Sequence, residues 1–263
     1  MDWLIKAHQA LPVKDILALL LFFASWWRYA RFARRQGAHA QILLATTNAL
    51  RSRWMLQTSR RDNRVIDGSV MQYVGSAPSF FASTTMLVLG GLLTALGTSD
   101  KASGLVQELP FAAQTSVILF DLKLMVLTSV FIYAFFRFTW SMRQNTFGAL
   151  MIGAMPDVAY FDAHGEAARE EHARRAGRII GLAAETFNDG LRAYYFSFAV
   201  ISWFFSPWAF AAATLGVIYI LYQREFRSDV LAVLNLPDPQ PVPQPAQGPA
   251  TPACAAEPAP RAH

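Results

Sequence analysis

A chain of 263 residues with 54 % hydrophobic, 13 % aromatic and only 16 % charged residues is too apolar for an ordinary soluble domain; a membrane protein or a very large core remains. A net charge of +5 would suggest nucleic acid in a soluble protein, but here the basic residues flank apolar runs, so topology accounts for them and no nucleic-acid partner is expected. The one cysteine, Cys254, lies in a tail and excludes an internal disulfide and a thiolate metal site.

Residues 1–14 read as a short N-terminal segment, followed by a transmembrane domain over 15–231 with four spans. The first span is expected over about 15–32, with the run Leu17 to Phe23 as its core and Trp26, Trp27 and Tyr29 suited to an interfacial belt. It starts too far in, and ends in too much arginine, for a cleaved secretory signal. Between the first and second spans, Ala40 to Thr58 lacks Pro and Gly and mixes Ile42, Leu43, Leu50, Trp54 and Leu56 with polar residues, which predicts an amphipathic helix at the membrane surface.

The second span is expected over about 74–96, where Gly75, Ser79, Ser83 and the pair Gly90 and Gly91 would let another helix approach closely. The third is expected over about 117–138, with a start near Phe111 as the alternative. After it, Glu166 to Phe187 predicts a second cytoplasmic helix in which Glu170 pairs with Arg174 and Glu171 with Arg175. The fourth span, about 194–222, contains Pro207; one kinked helix is preferred and a hairpin split at Pro207 is the alternative, because either half is short of the roughly 20 residues a crossing needs. Residues 235–263, rich in Pro and Ala, read as a disordered tail.

Most of the 23 Lys and Arg fall in the two long loops, between Arg28 and Arg64 and between Arg137 and Arg192. The positive-inside rule places both loops in the cytoplasm and both termini outside it, in a bacterial cytoplasmic (inner) membrane.

An ionisable group at membrane depth is costly enough to be a functional candidate by default. Asp121 and Lys123 qualify, and standing two apart on a helix they point away from each other, so each needs another partner. Their interfacial or structural use is the alternative. Asp15 and Arg28 border the first span and are expected to reach headgroups. Arg192, beside Tyr194 and Tyr195, suits either a lipid phosphate or a polar network with Asn188 and Asp189. Asp157, Asp162, His164, Glu166, Glu170 and His172 match no compact metal motif, so helix capping and solvation account for them and no metal or cofactor is expected.

Asn48-Ala49-Leu50-Arg51 with Trp54, Gly190-Leu191-Arg192-Ala193-Tyr194-Tyr195-Phe196-Ser197-Phe198, and Trp203-Phe204-Phe205-Ser206-Pro207 together resemble DUF599, a family of bacterial and plant membrane proteins. Lys123 and the stretch Asn145 to Pro156 are similar to the same pattern, and Asp121 departs from it. The resemblance implies four spans and no particular activity.

The fold expected is therefore all-α: an integral membrane bundle of four transmembrane helices with amphipathic cytoplasmic helices. Three functions fit. One is a small transporter or channel component with a polar pathway near Asp121, Lys123 and Arg192. Another is a noncatalytic membrane scaffold or assembly factor that contacts anionic lipid or a partner through Arg60, Arg61 and Arg64. The third is a membrane-embedded lipid-modifying enzyme, for which no catalytic residues are visible. The lipid bilayer is the expected partner, with anionic lipid at the cytoplasmic face, and a homo-oligomer is expected from the small-residue faces.

Overall fold

The structure, a computed structural model, describes residues 12–36, 43–98, 104 and 116–236. In chain order its helices are α1 (Val13–Gln36), α2 (Leu43–Thr58), α3 (Val65–Gly97), α4 (Val117–Gly153), α5 (Val158–His164), α6 (Glu166–Ser202), α7 (Pro207–Phe226) and α8 (Asp229–Leu234). No strand occurs among the described residues. The N-terminal segment up to residue 11 and the tail from 237 lie outside them.

Three helices, α1, α3 and α4, are long and apolar enough to cross a membrane. Their outward faces carry Leu20, Phe80, Leu87 and Phe136, each more than 60 % exposed, a surface suited to hydrocarbon rather than water. Length, composition and surface together suggest a membrane protein.

Helix α4 is the spine. Ser116 caps it by accepting a hydrogen bond from the Leu119 amide at 3.3 Å, which fixes the start at Val117. Its buried stripe, from Leu119 through Lys123, Val130, Ala134 and Phe138 to Gly148 and Ile152, recurs every three or four residues and packs on α3 and α6. Helix α6 runs antiparallel to it. The Lys123 ammonium lies over the Trp203 ring, Phe138 meets Phe187 with ring centroids 5.6 Å apart, and Ser141 Oγ donates to the Ala183 carbonyl at 2.8 Å. Gly190 lets Phe138 in: a methyl group there would sit 2.5 Å from Phe138 Cε1.

The stretch expected to be one kinked helix is instead a helical hairpin. Helix α6 is continuous for 37 residues, so the expected cytoplasmic helix and the start of the fourth apolar stretch are one element. It ends at Ser202, turns through residues 203–205, and restarts at Pro207. The cause is local. Proline has no amide hydrogen to continue α6 and pushes the residue before it into extended backbone. Ser206 adopts φ −164° and ψ 156°, and its hydroxyl accepts from the Ala209 amide at 3.0 Å, so it caps α7 with proline at the first helical position.

Helix α7 then returns beside α6. Trp203 stacks on Phe210 at 4.9 Å, and Arg224 donates to the Tyr195 hydroxyl at 2.7 Å. It runs parallel to α1, with Phe22 against Phe210 at 5.1 Å and Phe32 against Phe226 at 5.3 Å. The bundle therefore has a Trp203 end and an arginine-rich end.

Helix α2 differs from the amphipathic surface helix expected. Residues 40–42 lie outside the described residues, and Leu50 of the expected apolar face is 42 % exposed. The helix docks on α6 through small and polar groups: a methyl at Gly177 would meet Ser52 Cα at 2.9 Å, and one at Gly181 would meet Asn48 Oδ1 at 2.9 Å. Met55 completes the contact, buried with Met71, Ile152 and Ile180. On α6 itself, Arg174 and Arg175 both turn to Glu171, at 2.5 Å each, rather than dividing between Glu170 and Glu171.

Candidate functional site

The polar side chains buried in the bundle gather in two layers. At the Trp203 end, Asp15 is only 4 % exposed and accepts a hydrogen bond from Trp203 Nε1 at 2.6 Å. Asp15 is therefore a buried acceptor and does not reach headgroups as expected. Lys123 is 1 % exposed, with its ammonium 5.7 Å from the Trp203 ring centroid and 5.8 Å from that of Phe204. The aromatic faces and the Asp15 charge are what the ammonium has in place of water. Asp121 does not join them; its Oδ1 is buried with no hydrogen-bond partner among the described residues.

At the arginine-rich end, Arg192 is 11 % exposed and binds Glu225 through both Nε and Nη2, at 2.8 and 2.9 Å. Its Nη1 donates to Asp189 at 2.9 Å, and the other oxygen of Asp189 is held by Arg137. This two-pronged geometry on a carboxylate is the strong form of an arginine ion pair. The expected network with Asp189 is present. Glu225 is the partner that sequence reasoning missed, because the kinked-span topology set it on the opposite side of the membrane from Arg192. Pro207 was the signal that could have found it.

Between the two layers stands an aromatic one. Phe22, Phe196 and Phe210 are fully buried, Phe22 meets both of the others at 5.6 and 5.1 Å, and Trp26 stacks on Phe196 at 5.1 Å. Tyr29 marks the second layer, with the Arg192 guanidinium 5.8 Å from its ring centroid, and at about 1.5 Å per residue the interval from Asp15 to Tyr29 is roughly 20 Å of helix. The three expected pathway residues are therefore not brought together.

The three arginines expected to meet lipid or a partner are each engaged within the chain. Arg60 pairs with Glu166 at 2.7 Å, where the guanidinium holds the Glu166 carboxyl below its usual range. Arg61 pairs at 3.1 Å with Asp67, which is 1 % exposed and also accepts from Trp54 Nε1 and Thr58 Oγ1 at 2.7 and 2.9 Å. Arg64 donates to the carbonyls of Met155 and Pro156, closing the end of α4. They hold the cap on the bundle. By contrast Arg28, Arg31 and Arg35 form an exposed stripe on α1 with no carboxylate partner among the described residues.

Asp157 accepts from the Tyr160 amide at 2.9 Å, and Asp162 and Glu166 both bind Arg169. Among the described residues no three His, Cys, Asp or Glu side chains converge as a metal site would need.

Two clefts open beside Arg192, under α2. One, of about 490 Å³, is lined by Asn48, Arg137, Arg178, Glu185 and Asp189. The other, of about 320 Å³, is lined by Thr47, Arg51, Tyr195, Arg224, Glu225 and apolar side chains.

An all-helical bundle with three membrane-length apolar helices and a charged, arginine-rich end defines a class, membrane-type helical proteins, without naming a reaction. The chain matches the family model described as "Protein of unknown function, DUF599" over residues 17–230. It belongs to that family. No curated protein and no solved structure matches it.

Proposed function

We propose that the chain is a noncatalytic membrane scaffold that gathers anionic lipid around its arginine-rich end. In this arrangement α1, α3, α4, the last part of α6 and α7 all cross the bilayer; the 20 residues of α7 make a helix of about 30 Å, the thickness of a hydrocarbon core. The positive-inside rule then sets the arginine-rich end in the cytoplasm. Five crossings replace the expected four and bring the C-terminus to the cytoplasmic side, while the N-terminus stays outside. A bacterial inner membrane suits this orientation. Gly75 and Gly90, about 60° apart around α3, have no atom within 4 Å of where a Cβ would stand, which suits packing of that face against a second copy.

The observation that carries the scaffold over the transporter is the aromatic layer. A solute moving from Lys123 to Arg192 has to pass Phe22, Phe196 and Phe210, and Arg192 is already neutralised by two carboxylates. The stripe Arg28, Arg31 and Arg35, at the cytoplasmic end of α1, is where anionic headgroups would gather, in place of Arg60, Arg61 and Arg64. Each basic residue near such a surface contributes about 1 kcal/mol of attraction.

Quenching of tryptophan by brominated lipid tests this directly, because Arg31 lies over Trp27 with its guanidinium 4.8 Å from the ring. In nanodiscs, brominated phosphatidylglycerol is expected to quench more than brominated phosphatidylcholine. The difference should shrink as salt is raised and in the R28Q/R31Q/R35Q variant, but persist in R60Q/R61Q/R64Q. Equal quenching by the two lipids would sink the proposal. The transporter keeps one supporting observation, the burial of Lys123, and solute flux in proteoliposomes that vanishes in K123M would restore it.

A further inference from the structure

We infer that the cleft between α2, α6 and α7 is a specific site for a phosphate group, with Arg51 and Arg224 as its anion-binding pair. The inference rests on the scaffold reading only in taking this end of the bundle to lie at an anionic membrane surface.

The cleft has a charge that no contacting carboxylate among the described residues compensates. Of the three arginines that line it, Arg192 is paired with the lining Glu225. Among the described residues Arg51 and Arg224 have only neutral oxygens as hydrogen-bond partners. Arg51 Nη1 donates to Thr47 Oγ1 at 3.1 Å and Asn48 Oδ1 at 2.8 Å, and Arg224 Nη1 donates to the Tyr195 hydroxyl at 2.7 Å. A guanidinium has five N–H donors, so both retain donors for a ligand. Glu185 is the carboxylate whose charge acts on Arg51, and it is already bound by Arg178 at 2.8 Å and by the Asn48 amide at 3.2 Å. Burial pushes the Arg51 guanidinium below its ordinary range, as expected of a cation lacking a contact partner.

Two guanidinium groups facing one cavity match the chemistry of a phosphate, which carries up to two negative charges near neutral pH as a monoester and presents several acceptor oxygens. Leu44, Leu191, Leu221 and Val230 give the cleft an apolar wall, beside the polar Thr47, Asn188 and Tyr195. A space of about 320 Å³ with a cationic pair and an apolar wall suits the headgroup and first carbons of a phospholipid, or a soluble phosphomonoester. The two share the phosphate.

Native mass spectrometry of the full chain in neutral detergent tests the site with dioleoyl phosphatidate, phosphatidylcholine and inorganic phosphate. One phosphatidate per chain is expected to survive activation that strips phosphatidylcholine. Its affinity should fall at least tenfold in R51Q/R224Q and stay unchanged in R143Q, which alters an arginine on α4 outside the cleft. Millimolar inorganic phosphate that displaces phosphatidate assigns the site to soluble phosphate compounds, and indifference to it assigns the site to lipid. If R51Q/R224Q fails to fold, R51K/R224K keeps both charges without the planar fork and is expected to bind severalfold more weakly than the unaltered chain. Undiminished phosphatidate binding by R51Q/R224Q, or no saturable binding of either probe, overturns the inference. The lipid-quenching difference in R28Q/R31Q/R35Q reads the scaffold separately, because none of those residues lines this cleft.

Discussion

Gly190 shows how tightly single positions are specified. Because a Cβ there would meet Phe138 at 2.5 Å, Gly190→Ala is expected to cost about 1–3 kcal/mol through overpacking, seen as a lowered Tm in detergent. Gly216→Ala, with nothing within 4 Å, is the control and should leave Tm unchanged or raise it slightly. Lys123 and Asp15 make a second case. Neutralising either alone leaves the other buried without its compensating charge, so K123M and D15N should each destabilise more than K123M/D15N does, with a coupling of roughly 1 kcal/mol in a double-mutant cycle. Additive effects would show that the two do not interact. The sequence made Lys123 conspicuous, since a cation in an apolar run has a known cost. It could not show that Asp15, 108 positions away by the numbering, lies near it, because that follows from the α6–α7 turn, where Trp203 donates to Asp15 and the Lys123 ammonium lies over the same ring.

The helices show why some boundaries were legible and others not. Ser116, Asp157 and Ser206 each stand where a capping residue should, and each accepts from the amide three residues on. The length of α6 was obscured because its charged first half and apolar second half read as different elements, although no proline separates Glu166 from Ser202. Taking the last crossing to start near Tyr194 made a break at Pro207 look too short to span. Helix α2 misled for the opposite reason: its apolar residues suggested a lipid-facing side, while the contact that positions it is made by Asn48 and Ser52 against glycines.

The clip between the α2–α3 connection and α6 gives a pH prediction at this scale. Arg60 lowers the Glu166 carboxyl, so the pair contributes fully above about pH 4.3, the ordinary glutamate value, and is lost as pH falls through the lowered folded-state value. Both groups are about half exposed, so the effect is small. Limited proteolysis near Arg61 should accelerate below about pH 4 in the native chain and be equally fast at neutral pH in R60Q. Unchanged cleavage in R60Q would show that the clip does not hold this connection.

For the whole molecule, the proposed five crossings put residues after the hairpin on the arginine-rich side. Cys254, the one cysteine, is a ready reporter: with five crossings it should resist a membrane-impermeant maleimide in intact cells and react once the membrane is opened. Labelling in intact cells would restore four crossings with both termini outside. The apolar content and the arginine distribution made the membrane class and the arginine-rich end legible. The break between α6 and α7, on which the proposed parity of crossings turns, was not, since it rests on a few residues around Ser206.

The place of α1 has a further consequence, for biosynthesis. Its closest backbone neighbour is α7, and its aromatic side chains meet Phe196 and Phe210, all near the far end of the chain. In a chain made from the N-terminus, α1 is complete long before Phe196 and Phe210, which follow Phe22 by about 170 to 190 residues. A chain stopped before Pro207 would lack α7 and leave the side of α1 that packs along it uncovered.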